Sequence, residues 1–184
     1  QLPRLELEGI VPEEGRTVIT VSTLLPAADK AAATALKLAR LYNTNGRGAV
    51  QICLLADLKQ AMYPEMPQDR SDIAAMSREI DRLNKATGNA FVLAVRPREY
   101  SPTMKNYTGR ERKRGALEQL ALFIRDGDNR FLSLEGDLEA LRRARYILAL
   151  DSDTGMLMDT AAQLVGTALH PCNQPEVAEV TESA

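Results

Sequence analysis

The 184-residue chain is 45% hydrophobic and 26% charged, which suits one globular domain with a full core and excludes general disorder. A formal net charge of −2 argues against non-specific nucleic-acid binding by the molecule as a whole. Cys53 and Cys172 make no disulfide framework, no apolar run approaches the roughly 18 residues of a membrane span, and no signal peptide is visible, so a soluble domain in a reducing compartment is expected.

Residues 1–16 lead in without clear periodicity. The segment 16–26, rich in β-branched residues and stopped by Pro26, predicts a strand. Residues 29–42 follow at helical density, with Asp29 in the first turn where a carboxylate suits the helix dipole. Residues 49–57 form a continuous apolar run, as expected of a strand covered on both faces. Past Pro64 and Pro67, the spacing of Ile73, Met76, Ile80 and Leu83 predicts a helix that Gly88 ends. A third strand is expected over 90–97, and a third helix over 111–127, burying Leu117, Leu120 and Ile124. A fourth strand over 144–151 and a fourth helix over 158–170 complete the pattern. The expected domain spans 17–175 with a tail over 176–184, and the chain reads like a piece of something longer.

Four alternations of strand and helix predict an α/β, Rossmann-like fold, with a mainly parallel sheet and helices on both faces. Ligands of such sheets bind beyond the carboxyl ends of the strands. The predicted tips carry Ser22 and Thr23, Asp57, Arg96 and Arg98, and Asp151 and Asp153.

Each of these groups has a plain reading beside a functional one. Asp151 and Asp153 open a loop, as polar residues commonly do; if the extended geometry continued, both carboxylates would face one Mg²⁺ or Mn²⁺. Asp57 is the first polar residue after an apolar strand, or a hydrogen-bond acceptor for a nucleotide base or ribose. The stretch Arg96–Arg114 holds seven Lys and Arg against two Glu. Such a run is commonly a solvated face. With Tyr100 and Tyr107 interleaved it has the makings of a single-strand stacking surface, although it is short and the domain slightly acidic. It also ends where the third helix begins, so Arg112, Lys113, Arg114 and the Gly115 backbone would suit a diphosphate at a helix N-terminus. His170, beside Pro171 at a helix end, suits a structural role. No zinc-ligand spacing, P-loop or G-x-G-x-x-G fingerprint is present.

Several stretches resemble, in order, the glycosyltransferase domain of cyclic β-1,2-glucan synthases: "VSTLL", "LLADL", "GRERKRGALEQL", "YILALDSDT" and "AAQLVGTALHPCNQP". The resemblance runs from about Thr17 to Pro175, and the "ERKRG" and "LVGTALHP" pieces are more specific than D-x-D alone. It implies a GT-A-like nucleotide-sugar fold, UDP-glucose as donor, a glucan acceptor and a divalent cation. By the same resemblance Thr23, Asp57, Lys113, Arg114, Gly115 and Asp151 would bind nucleotide, and Asp151 and Asp153 the metal. Family members are large proteins of the bacterial inner membrane, so this chain would sit on the cytoplasmic side among further domains, without inserting into the membrane itself. They continue into an acceptor half with a catalytic aspartate and a Q/R-x-x-R-W motif, whereas this chain has no tryptophan. The chain therefore resembles a donor-binding half whose catalytic base is expected elsewhere, inactive by itself. A scaffold that keeps a degenerate nucleotide-sugar fold is the rival reading, and a nucleic-acid-binding domain the weaker one.

Overall fold

The computed structural model describes residues 2–174. Residue 175 and the tail expected over 176–184 lie outside the described residues. A five-stranded sheet forms the centre, in the order β6-β3-β2-β1-β7. Strands β1 (Thr17–Leu24), β2 (Val50–Asp57), β3 (Phe91–Arg96) and β7 (Tyr146–Asp151) run parallel, as the alternating pattern predicts. The short strand β6 (Ser133–Glu135) is antiparallel to β3 and closes one edge.

Side chains alternate across the sheet, and β2 shows how the core divides. Ile52 and Leu54 enter a cluster under α1 (Ala31–Asn45), α2 (Pro67–Thr87) and α5 (Thr160–Leu169). Cys53 and Leu55 enter the opposite cluster, under α3 (Arg112–Asp126) and the short α4 (Leu138–Arg142). Helices thus cover both faces, and β2 and β3 are buried along their whole length. This is why their sequences read as unbroken apolar runs.

Burial also sets chemistry. Desolvation pushes the Cys53 thiol up to about 12, whereas Cys172 is exposed. A thiol reagent at neutral pH is therefore expected to label Cys172 alone in the native protein. Cys53 should react only after denaturant is added, and rapid native labelling at Cys53 would contradict this packing.

The structure adds to the sequence reading and departs from it. Strand β7, read from an apolar run like that of β2, is an edge strand with Ala149 and Asp151 exposed. In α3 the fully buried residues are Ala116, Leu120 and Phe123, while Leu117 and Ile124 lie at the margin of the cluster. The stretch 99–108 forms a hairpin, β4 (Glu99–Ser101) with β5 (Asn106–Thr108), in which Tyr100 meets Tyr107 edge-on at 5.3 Å between ring centroids. The lead-in packs as well. Val11 is buried and bridges Gly48, and the Leu5 amide donates to the Gly166 carbonyl.

Candidate functional site

Register brings the predicted tips to one edge. Leu24 lies beside Asp57 and Ser22 beside Asp151, so the carboxyl ends of β2, β1 and β7 stand in a row. The start of α3 closes over them. Ser22, Thr23, Asp57, Thr108, Lys113 and Asp151 border a cleft of about 350 Å³ there. The Ser22 hydroxyl oxygen is buried in its wall and finds no hydrogen-bond partner among the described residues. A buried hydroxyl with nothing to bond is costly, so this atom favours a polar ligand in the cleft.

Two buried ion pairs lie behind this edge and hold the loops on either side. Arg96 donates through Nε to Asp57 Oδ1 at 2.6 Å and through Nη2 to Oδ2 at 3.0 Å. The same guanidinium reaches the carbonyls of Arg110 and Arg112, at 3.1 and 2.9 Å. Two residues along, Arg98 forms a bidentate pair with Asp69 and also reaches the Lys59 and Pro64 carbonyls. The first pair fastens the entry of α3, and the second fastens the loop before α2. Arg98 beside it, helped by the Met66 amide and against its own partial burial, holds the Asp69 carboxyl below the usual carboxylate range.

Sequence reasoning placed Arg96 and Arg98 in a charge run at the ligand edge; the structure buries both. The remaining basic residues divide. Lys113 Nζ sits 2.6 Å from Asp151 Oδ1 at the mouth of the cleft, with both side chains well exposed. Arg112 borders the cleft too, whereas Arg114 turns outward to Glu118 and Glu111. Gly115 does not face ligand with a side chain of any kind; a Cβ on it would run into the Arg110 carbonyl oxygen. Likewise a Cβ on Gly109 would lie 2.6 Å from the Asp57 carboxylate. The two glycines of "GRERKRG" thus let the loop lie against the ion pair. That requirement is visible in sequence only as two unexplained glycines.

The two carboxylates of D-x-D part company. The extended geometry stops at Asp151, where the Thr154 amide donates back to the Asp151 carbonyl at 2.9 Å and the chain turns. Asp151 borders the cleft under α3, whereas Asp153 borders a second cavity of about 380 Å³ against α1, with Lys37 and Arg40. Thr23 lines both. Among the described residues no group of three or more His, Cys, Asp or Glu gathers as a metal shell. A divalent ion at Asp151 would need phosphate and water oxygens to complete its coordination, which is the common pattern for Mg²⁺. His170 accepts from the Cys172 amide through Nδ1, capping the short 3-10 turn Pro171–Asn173 that follows α5.

Fold and cleft together define a mainly parallel, Rossmann-like α/β protein with a cleft at the carboxyl ends of its strands. The chain matches no protein-family profile. It is similar to part of the cyclic beta-(1,2)-glucan synthase NdvB of Rhizobium meliloti, at 34% identity over 175 residues. The match covers 93% of this chain and 6% of that protein, so the chain corresponds to a small segment of a much longer relative. The resemblance read from the motifs is borne out. Among the described residues no helix is long and apolar enough to cross a membrane.

Proposed function

We propose that the chain is the donor-binding portion of an inverting glycosyltransferase that transfers glucose from UDP-glucose to a growing β-1,2-glucan. The observation that carries this reading is the orphaned Ser22 hydroxyl, buried in a strand-tip cleft that Lys113 and Asp151 also border. Similarity to a glucan synthase supplies the reaction class.

The residues present fit a metal–diphosphate group. Lys113 and Asp151 pair with each other across the cleft mouth. With ligand bound, Lys113 would turn to a phosphate oxygen and Asp151 would supply a carboxylate to Mg²⁺ or Mn²⁺, so one charge contact would be exchanged for two. When bound, the cation offsets charge on the departing diphosphate. Arg112 adds a second positive charge on the same side of the cleft. Asp153 reaches the group only if the 152–156 turn rearranges. The base that takes the proton from the acceptor hydroxyl belongs to another part of the parent chain, so binding without turnover is the expected behaviour here. In the parent, this portion works on the cytoplasmic side of the bacterial inner membrane with the remaining domains.

Melting temperature tests the reading. UDP with Mn²⁺ should stabilise the protein more than either alone, and Asp151→Ala should abolish the synergy. A ligand at a hundredfold excess over its dissociation constant adds about 2.7 kcal/mol. The titration should extend to about ten millimolar UDP, because binding worth only about 4 kcal/mol is millimolar. Equal shifts with ADP or GDP would remove the uridine preference and leave the metal–diphosphate site standing. No shift with any nucleotide would favour a scaffold that keeps the fold without the ligand. The nucleic-acid reading loses ground from the burial of Arg96 and Arg98, whose charges are already paired.

A further inference from the structure

We propose that Arg96 is a positioning residue, whose guanidinium holds Asp57 and the loop before α3 together and so aims the Lys113 end of that helix into the cleft. This rests on the donor-site reading for its purpose, but its structural content stands on the geometry alone. Nothing in the D-x-D or "RKRG" patterns assigns a role to Arg96.

Arg96 donates four hydrogen bonds to three partners: two to the Asp57 carboxylate, and one each to the Arg110 and Arg112 carbonyls. Its side chain is 4% exposed. The segment it holds is strained. Glu111 and Arg112 have φ of 50° and 41°, a left-handed conformation that side-chain-bearing residues adopt only when their surroundings impose it. Gly109 and Gly115 bracket that segment, each leaving room for the Asp57 carboxylate or the Arg110 carbonyl. Lys113 follows directly, and its ammonium reaches Asp151. A relaxed segment would turn Lys113 away from the cleft. Asp57 therefore acts through Arg96 on the phosphate-facing end of the site, and both of its oxygens are engaged before any nucleotide base arrives.

The fold contains its own control. Arg98 makes the same four-bond pattern with Asp69 and the Lys59 and Pro64 carbonyls, but fastens the loop before α2. Arg96→Lys and Arg98→Lys both keep a cation against the buried carboxylate, so neither leaves a charge unpaired, and both lose the planar fork. In the 184-residue chain, amide hydrogen exchange over 109–115 should accelerate in Arg96→Lys and stay as in the wild type in Arg98→Lys. Binding of inorganic pyrophosphate and of UDP, each with Mn²⁺, should weaken at least about tenfold in Arg96→Lys, as supporting-shell changes commonly do. It should stay within about twofold in Arg98→Lys. Equal losses in both variants would overturn the proposal, since they would report general destabilisation. Unchanged exchange in Arg96→Lys would overturn it as well. If the wild type binds neither probe, the donor-site reading fails. Selective exchange over 109–115 would then still uphold the positioning role, and its absence would sink that too.

Discussion

Arg98→Ala is expected to lower unfolding stability by about 3 kcal/mol, at the lower end of what breaking a buried ion pair costs. The side chains of Arg98 and Asp69 are 3% and 12% exposed, so truncating the arginine leaves a carboxylate nearly out of water. The Met66 amide at 2.8 Å still serves it, which is why the loss is not larger. The carbonyls of Lys59 and Pro64 lose their donor in the same change, and the loop before α2 loosens with them. Replacing the pair by Met and Leu should recover most of the stability, because apolar replacements of similar volume need no partner. Urea unfolding of the three proteins measures this; an Arg98→Ala midpoint equal to the wild type would show the pair to be idle. The pair also fixes a pH dependence. With the Asp69 carboxyl held below its ordinary value of 3.8, the folded protein binds this proton less readily than the unfolded chain. Its contribution is complete above the unfolded value and is lost as pH falls through the lower folded value. Arg98→Ala lacks this contribution at every pH, so the stability gap between wild type and variant should narrow as pH falls below about 4.

Gly115→Ala should be the most damaging single methyl in the site. The added carbon meets a backbone carbonyl, that of Arg110, which Arg96 already holds in place. Overpacking of this kind costs about 1–3 kcal/mol, and the better helix propensity of alanine offsets no more than about 1 kcal/mol of it. Because relief requires the 110–112 segment to shift, any stabilisation by UDP with Mn²⁺ should fall further than stability does. Gly155→Ala, four residues past the turning strand tip, meets nothing within 4 Å and should change stability by less than about 0.5 kcal/mol. Thermal melts with and without nucleotide separate the two; similar behaviour of both variants would refute the steric account.

The fold was legible because β2 and β3 are buried along both faces and leave unbroken apolar runs, and because α2 spaces Ile73, Met76, Ile80 and Leu83 at helical intervals. Strand β7 carries the same composition, yet it lies at an edge, and no apolar run records how many neighbours a strand has. The hairpin and β6 were not legible: three-residue strands have no period to read. Their cohesion comes from tertiary contacts, such as the Ala61–Tyr107 bridge. In the site, the convergence of Thr23, Asp57 and Asp151 followed from topology alone. The burial of Arg96 did not, because the partner of a charge 39 residues away leaves no local mark. The divergence of Asp151 and Asp153 rests on a single turn, which the pair of letters cannot reveal.

The order in which the strands leave the ribosome gives the cleft a history. Strand β1 is central, but its neighbour β7 comes late: Thr20 Oγ1 reaches the Leu148 carbonyl across 128 residues of intervening chain. Strands β1, β2 and β3 with α1 and α2 can associate as soon as they emerge, since each pairs with a near neighbour in sequence. Until β7 arrives, the far edge of β1 stays open, and non-local closures of this kind are slow steps in folding. Thr23 therefore waits without its opposite wall while the rest of the half-sheet is already formed. The wall that carries Asp151 is the last of the described strands to emerge, so a nascent chain stalled before Tyr146 would expose a strand edge and hold no cleft.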